Sequence, residues 1–177
     1  SAPEKLRETI ISRCWKIDFQ PIPDQELKKI LIEKFKIEEE LTDDVIAFSE
    51  GSVQNAILLI ENNLNELLEK VIRILRYSFG KRYNSALKEF EDIVSESDQL
   101  KFKLIIRLLL TWFNDLQRYR FNPESGIFFH RYSDTIQKFD EKFPDVNIQP
   151  VINSLDNISG YIRNNINLNV AVSNIIS

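Results

Sequence analysis

Few residues of this chain could carry out chemistry, and three of them stand together near its start. Ser12, Arg13 and Cys14 follow one another within ETIISRCWKIDF, and Cys14 is the one cysteine of the 177 residues. His130 is the one histidine, so a zinc site built from cysteine and histidine is excluded. With one histidine and one cysteine in the chain, we also exclude Cys-His and Ser-His nucleophilic arrangements. We expect His130 to be a packed or partly exposed helical histidine.

The glycines exclude the common phosphate-binding loops. Gly51, Gly80, Gly126 and Gly160 are widely separated, whereas a Walker loop or a dinucleotide fingerprint needs glycines about five or fewer positions apart. The acidic stretches KIEEEL and TDD are typical of a solvated helix face and a helix start, not of paired catalytic carboxylates. We therefore expect the chain to catalyse no reaction by itself and to bind no metal.

The composition is that of a soluble globular protein, with 43% hydrophobic and 28% charged residues. No apolar run reaches the roughly 18 residues of a membrane span, and a single cysteine forms no internal disulfide. We therefore expect a cytoplasmic protein. Because the chain lacks methionine and opens on SAPEKL, we also expect it to be a fragment of a longer protein.

The basic residues gather in two places, RILRYSFGKRY and LQRYRF. The formal net charge of −4 argues against a general nucleic-acid-binding domain. Solvated helix ends explain both clusters, because cations favour the C-terminal end of a helix. A surface for nucleic acid or for an acidic partner is the alternative.

Helical periodicity dominates the chain after residue 22. Asp24 is the predicted N-cap of a first helix, and Thr42 and Ser52 are the predicted N-caps of a second and a third. Gly51 is predicted to end the second helix. The inward stripe of the first helix is predicted to hold Leu27, Ile30, Leu31 and Phe35.

Longer helices follow from about residue 65. ELLEKVIRILRYSF and NSALKEFEDIV have apolar stripes, and DQLKFKLIIRLLLTWFNDLQ is apolar nearly all round, which predicts a central helix. FFHRYSDTIQKFDEKF predicts another helix, and two more are predicted at 148–157 and 159–176. The sequence thus predicts an all-α protein: a small three-helix bundle, then a bundle of five to six helices, after a short extended N-terminal remnant containing WKIDF.

The stretch KLRETIISRCWKIDFQPI resembles the end of the nucleotide-binding domain in clamp-loader AAA+ subunits. In that family a Thr-Ile-x-Ser-Arg-Cys run precedes a short strand and the lid domain, and here it corresponds to Thr9, Ser12, Arg13, Cys14 and the isoleucines between them. QPIPDQEL resembles the entry to the three-helix lid, and FSEGSVQNAILL resembles its last helix. IRNNINLNVAVSNII is similar to the Asn-x-Asn-containing final helix of bacterial DNA polymerase III delta-prime subunits.

The resemblance implies three regions. Residues 1–21 correspond to the end of the AAA+ nucleotide-binding domain, 22–64 to the lid and 65–177 to the collar, an all-helical domain through which loader subunits pack into a ring. The implied partners are gamma/tau-type and delta-type subunits in a hetero-oligomer. The whole complex would act on the sliding clamp and primed DNA during DNA replication.

For Arg13 the resemblance implies an arginine finger that reaches ATP and Mg²⁺ held by the neighbouring subunit. A guanidinium keeps its charge and offers several donors to phosphate oxygens. It stabilises the charge that develops as a phosphoryl group is transferred. Ser12 and Cys14 are expected to shape and pack the turn, and no cofactor is expected in the chain itself.

The lid departs from the pattern of ATP-hydrolysing members, which have an arginine in a Gly-x-x-Arg sequence. Counting from Gly51 puts Gln54 at that position, and a neutral amide supplies no charge. This favours the delta-prime type, a stator that does not hydrolyse ATP. The alternatives are the same region of an ATP-hydrolysing gamma/tau-type or other AAA+ subunit, and a stand-alone helical protein-interaction module.

Contacts with partners are expected to use aromatic residues of the long helices. Most of these side chains are nevertheless expected to fill the core of the domain. The candidates are Trp112, Tyr119, Phe121, Phe128 and Phe129.

Overall fold

The chain is described by a computed structural model over residue 13 and residues 20–37, 39–96 and 98–162, with the backbone alone at 39–42 and 160–162. The described residues form nine α-helices and a short 3-10 turn, with no strand among them. The predicted all-α class is confirmed. The extended remnant predicted around WKIDF lies outside the described residues.

The helices divide by their packing into two groups. α1, α2 and α3 pack on one another and form the N-terminal group, while α4 to α9 form the C-terminal group around α7. The helices run over Asp24–Phe35 (α1), Glu39–Ser49 (α2), Val53–Glu61 (α3), Leu64–Phe79 (α4), Tyr83–Lys88 (α5), Glu91–Ser95 (α6), Gln99–Phe121 (α7), Ser133–Lys142 (α8) and Gln149–Ile162 (α9), and the 3-10 turn over His130–Tyr132.

The first helix starts one residue earlier than predicted. Pro23 is its N-cap and Asp24 its first helical residue, where the carboxylate faces the positive end of the helix. Leu27 and Leu31 are fully buried, as predicted, but the predicted inward position of Phe35 is wrong because this side chain is 45% exposed. Phe35 is the last residue of α1.

The prediction that Thr42 caps the second helix is wrong, because α2 begins at Glu39. The backbone is already helical at 39–42, so α2 extends nearly one turn before the predicted cap.

The turn between α2 and α3 follows the sequence prediction. Glu50 and Gly51 have φ of 51° and 72°, a left-handed conformation that ends a helix. The Oγ of Ser52 then accepts the backbone N–H of Asn55 at 3.3 Å, so the predicted N-cap is confirmed.

The central helix is α7, as its sequence predicts. Asp98 caps it by accepting the backbone N–H of Lys101 at 2.9 Å. α7 packs on α4, α6, α8 and α9, so burial of its apolar side chains is a large part of what holds this group together. Its fully or nearly fully buried apolar residues are Phe102, Leu104, Ile105, Ile106, Leu108, Leu109, Trp112, Phe113 and Leu116.

Two predicted helices are interrupted or shortened. The NSALKEFEDIV stretch forms α5 and α6 with a break at 89–90, where Phe90 turns fully inward and packs its ring 5.9 Å from that of Phe102. The stretch that opens with Phe128 becomes α-helical only at Ser133, after the 3-10 turn.

The predicted break between helices at 157–159 is also wrong. α9 continues through Ser159 to Ile162, and Ile158 is buried within it, so packing on the core carries the helix across the polar residues. The helix predicted for 159–176 lies otherwise outside the described residues.

The predicted division of the chain into three regions, with boundaries at 21/22 and 64/65, stays a prediction. α1 to α3 lie within 22–64, and α4 starts at Leu64. Within the described ranges, no helix combines the length and the apolar character that crossing a membrane requires.

Candidate functional site

The Ser-Arg-Cys motif is represented by Arg13 alone, which lies in an exposed turn. Thr9, Ser12 and Cys14 lie outside the described residues. The exposure of Arg13 is compatible with a contact to another molecule, and its assignment as an arginine finger stays a prediction.

Gly51 allows a close approach between the α2–α3 turn and the chain that leads into α1. The backbone N–H of Ile22 donates to the carbonyl oxygen of Gly51 at 2.9 Å. A Cβ at Gly51 would lie 2.6 Å from the Cβ of Pro21 and 2.8 Å from the nitrogen of Ile22. Only glycine permits both this approach and the positive φ of 72°.

Gln54 lies in the first turn of α3 and is exposed. Its neighbour Asn55 points the other way, with its Nδ2 donating to the carbonyl oxygen of Ser49 at 3.2 Å. The amide of Gln54 can donate and accept hydrogen bonds, but it brings no positive charge to this end of the helix.

A single arginine of the central helix joins the two helix groups. The Nη2 of Arg107 donates to the carbonyl oxygen of Phe48 at 2.9 Å and lies 3.0 Å from an oxygen of Glu50. Phe48 lies in the last turn of α2, where the carbonyl groups have no partner within the helix, and Glu50 directly follows that helix. Arg107 therefore caps α2 from another element.

Aromatic rings fill the space beside this contact. The ring of Phe48 packs edge-on against that of Phe129, with centroids 5.2 Å apart, and lies tilted against that of Phe128 at 6.0 Å. Phe48 and Phe129 are buried. The contact between the groups is thus apolar at its centre.

Asp44 forms the charged edge of the same contact. It pairs with Arg131 at 2.5 Å, and its Oδ1 lies 3.6 Å from the Nε2 of His130. The expectation of a partly exposed His130 is confirmed, although the residue lies in the 3-10 turn and not in an α-helix. The expectation that Asp44 stabilises the start of α2 is wrong, because the helix begins five residues earlier.

Asp115 is a fully buried carboxylate on α7 that the sequence interpretation missed. Its Oδ2 accepts the backbone N–H of Phe129 at 2.8 Å, and its Oδ1 has no hydrogen-bond partner among the described residues. Burial raises the pKa of Asp115, against the opposing effect of the Phe129 and Phe128 amides and the Arg118 charge. The available signal was an acidic residue within the apolar run WFNDL.

A second acidic residue joins three helices. Asp92 of α6 accepts hydrogen bonds from Lys70 of α4 at 2.7 Å and from Lys101 of α7 at 3.2 Å. Partial burial alone would raise the pKa of Asp92. The hydrogen bonds from Lys70 and Lys101 and the positive charge of Lys70 outweigh this effect, so the pKa of Asp92 is lowered. This cluster stabilises the packing of the helices.

Part of each basic cluster has a structural role. The Nε of Arg73 donates to Glu89 at 3.0 Å. Arg120 donates to Asp140 at 2.6 Å and also to the carbonyl oxygens of Phe143 and Val146. Arg120 thereby closes the segment between α8 and α9 over the end of α7.

The remaining basic residues lie at exposed helix ends, as expected. Arg76, Lys81 and Arg82 are exposed and form no ion pair within the described part of the chain. The guanidinium of Arg82 lies 5.1 Å from the ring centre of Tyr77.

The aromatic residues named as possible partner contacts fall into three classes by their exposure. Trp112 and Phe129 are buried in the core, and Phe128 and Tyr119 are half-buried. Phe121, at the end of α7, is 94% exposed. Of these five residues, it alone is mostly exposed to solvent.

Among the described residues, no group of histidine, cysteine or acidic side chains is arranged to hold a metal ion. Neither family models, nor curated proteins, nor solved structures gave a significant match to this chain.

Proposed function

We propose that this chain is the lid and collar part of a clamp-loader subunit of the delta-prime type, which acts in DNA replication. The observation that carries the proposal is the order of its parts along the chain. The Ser-Arg-Cys motif comes first, the three helices of the N-terminal group follow with a Gly-Ser start to α3, and the larger C-terminal group comes last. The family has the same order.

In this proposal Arg13 completes an ATP site that belongs to the neighbouring gamma/tau-type subunit. The chain itself holds no nucleotide and hydrolyses none. Its exposed Gln54 supports this part of the proposal, because a neutral amide cannot replace the lid arginine of the ATP-hydrolysing members. The C-terminal group assembles with the collars of gamma/tau-type and delta-type subunits in the cytoplasm, and the assembled complex handles the sliding clamp and primed DNA.

The contact between the two helix groups bears on this function. It consists of Arg107 with Phe48 and of Asp44 with Arg131 and His130. Arg107 attaches the N-terminal group to the central helix, and the edge-on packing of Phe48 on Phe129 and the ion pair of Asp44 with Arg131 attach it to the segment that follows that helix. A subunit that donates a finger must hold the domain next to that finger in a fixed position relative to its collar. The contact supplies such a fixed attachment.

The test is reconstitution of the full-length protein with its presumed partner subunits, comparing Arg13→Ala with the parent. We expect ATP turnover at the site facing Arg13 to fall by about 10³-fold, the lower end of the effect of arginine fingers. Co-elution of the complex in size-exclusion chromatography should not change. Arg76→Ala is the control, because Arg76 is also exposed and lies far from Arg13 in sequence.

Two results would contradict the proposal in different ways. Unchanged ATP turnover and clamp loading by an intact Arg13→Ala complex would refute the finger. Failure of the parent protein to co-elute with either partner type would refute the assembly role and favour a stand-alone interaction module.

A further inference from the structure

An apolar groove of about 460 Å³ lies on the C-terminal group, lined by α4, α7 and α9. Lys81 is the one charged residue among the described residues that line it. The apolar side chains of its walls include Leu75 and Phe79 from α4, Leu109 and Phe113 from α7, and Val151 and Leu155 from α9.

The groove is basic where α4 ends. Lys81 lines it there, two residues after Phe79, and Arg82 follows directly in sequence. The Nζ of Lys142 lies 5.5 Å from the ring centre of Phe143, which also lines the groove. The ring of Phe143 is 5.6 Å from that of Phe79, so Lys142 belongs to the same end of the groove.

These three cations are available to another molecule. Lys81, Arg82 and Lys142 are exposed, and none forms an ion pair within the part of the chain that the structure describes. The backbone N–H groups of Lys81 and Arg82 already satisfy carbonyl groups at the end of α4, at 3.0 Å and 2.8 Å, so their side chains are not needed there. Unpaired cations beside an apolar, low-dielectric wall attract carboxylates more strongly than cations in open solvent do.

Exposed apolar surface continues beyond the groove along α5. Tyr83 lines the groove and is nevertheless 47% exposed. Leu87, one helical turn further along the same face of α5, is 39% exposed. A small molecule confined to the groove would leave this surface in water, whereas a polypeptide can cover both. Exposed aromatic side chains of this kind are frequent anchors for protein partners.

We propose that this groove binds an amphipathic helix of a partner protein, with apolar residues along one face and aspartate or glutamate residues at the end that meets Lys81. The walls of the groove are helices, whose ridges and grooves accept the ridge of another helix. Helices bond their backbone groups internally, so these walls offer no edge to which an extended peptide could add as a strand. This inference does not depend on the proposed function.

Peptide selection against the full chain tests the proposal. The probe is a phage-displayed library of random peptides of about 16 residues, or between four and five helical turns. Val151→Lys, which places a charge in the groove, serves for counter-selection. We expect the recovered peptides to have apolar residues at helical spacing and an excess of aspartate and glutamate at one end. Asn153→Lys, at an exposed position of α9, should retain these peptides.

Fluorescence anisotropy with one labelled, selected peptide then tests the charges. Lys81→Glu combined with Arg82→Glu should raise the Kd of this peptide by at least about tenfold, because like charges then face one another. The same variant should bind a peptide whose acidic residues are replaced by lysine more tightly than the parent does. The matched control is Lys34→Glu combined with Lys103→Glu, which changes the net charge equally at exposed positions outside the groove; it should change the Kd less than about twofold.

Three results would overturn the proposal. One is the recovery of no peptides that distinguish the parent from Val151→Lys, and another is equal affinity of the parent for the acidic peptide and its lysine counterpart. The third is self-association of the parent that Val151→Lys abolishes in size-exclusion chromatography, which would identify a second copy as the occupant. None of these results concerns ATP turnover by a reconstituted loader, so failure here is distinguishable from failure of the proposed function.

Discussion

The guanidinium of Arg107, in the middle of α7, lies 2.9 Å from the carbonyl oxygen of Phe48 at the end of α2. The two residues are 59 positions apart in sequence. This hydrogen bond, with the ion pair from Arg107 to Glu50, joins the N-terminal and C-terminal helix groups. The C-terminal end of α2 is thus capped by a side chain of α7, which is distant in sequence.

Replacement of Arg107 by alanine should weaken the attachment of the N-terminal group. We expect a loss of about 1 to 2 kcal/mol in the free energy of unfolding, because a hydrogen bond from a charged donor is lost and a carbonyl group is left without its partner. Hydrogen exchange should accelerate most at the amides of α2. Lys103→Ala, at an exposed position of α7, is the control; an equal loss in both variants would contradict a specific role for Arg107.

Asp115 should make stability depend on pH in a particular direction. Burial raises its pKa in the folded state, so the folded protein holds this proton to higher pH than the unfolded chain. The contribution of Asp115 to stability is therefore greatest below its ordinary pKa and falls as the pH rises through the raised one. Asp115→Asn should remove this pH-dependent loss of stability. The free energy of unfolding of the variant, minus that of the parent, should therefore increase from about pH 3 to about pH 7.

Unfolding by denaturant at several pH values checks this prediction. The control is Asp156→Asn, which changes an exposed carboxylate of α9. A stability difference between Asp115→Asn and the parent that stays constant across the pH range would show that burial does not raise the pKa of Asp115.

Gly51→Ala should be destabilising, since alanine strains a backbone with φ of 72° and places its Cβ against Pro21. The left-handed conformation alone costs about 1 to 2 kcal/mol for an L-residue, and the close approach adds to this cost. Gly126→Ala is the matched control because no atom lies within 4 Å of its added Cβ. Denaturant unfolding should show a change within about 0.5 kcal/mol for that variant. Similar effects of the two substitutions would argue against the close approach at Gly51.

Phe121→Ser should leave the fold intact, because the ring is 94% exposed. We expect its free energy of unfolding to stay within about 0.5 kcal/mol of the parent, whereas Phe90→Ala, at a fully buried ring, should cost about 3 to 5 kcal/mol. If Phe121 contacts another loader subunit, the variant should also co-elute less with that subunit. Full co-elution of the variant would remove Phe121 from the proposed interface.

The sequence alone was sufficient for features that depend on neighbours within one helical turn. The all-α class and the central position of α7 follow from apolar periodicity. The N-cap of Ser52 and the helix end at Gly51 follow from the chemistry of short polar side chains and of glycine. Each of these requires only residues that are close in the chain.

Where tertiary packing competes with local preference, the sequence interpretation failed. It placed the cap of α2 at Thr42, although the helix begins at Glu39. It also predicted a break in α9 at a polar stretch, although the helix continues there and Ile158 is buried. A threonine or a polar stretch is compatible with a helix boundary, but neither forces the helix to end or begin there.

The site-level relationships came from the tertiary structure alone. Nothing near Arg107 in sequence indicates that it caps α2, and nothing near Asp115 indicates that its carboxylate accepts the amide of Phe129. Arg120 likewise bonds carbonyl groups more than twenty residues away. Such partners are determined by how helices pack, and a single sequence carries the periodicity of each helix but not the rotation and position of one helix against another.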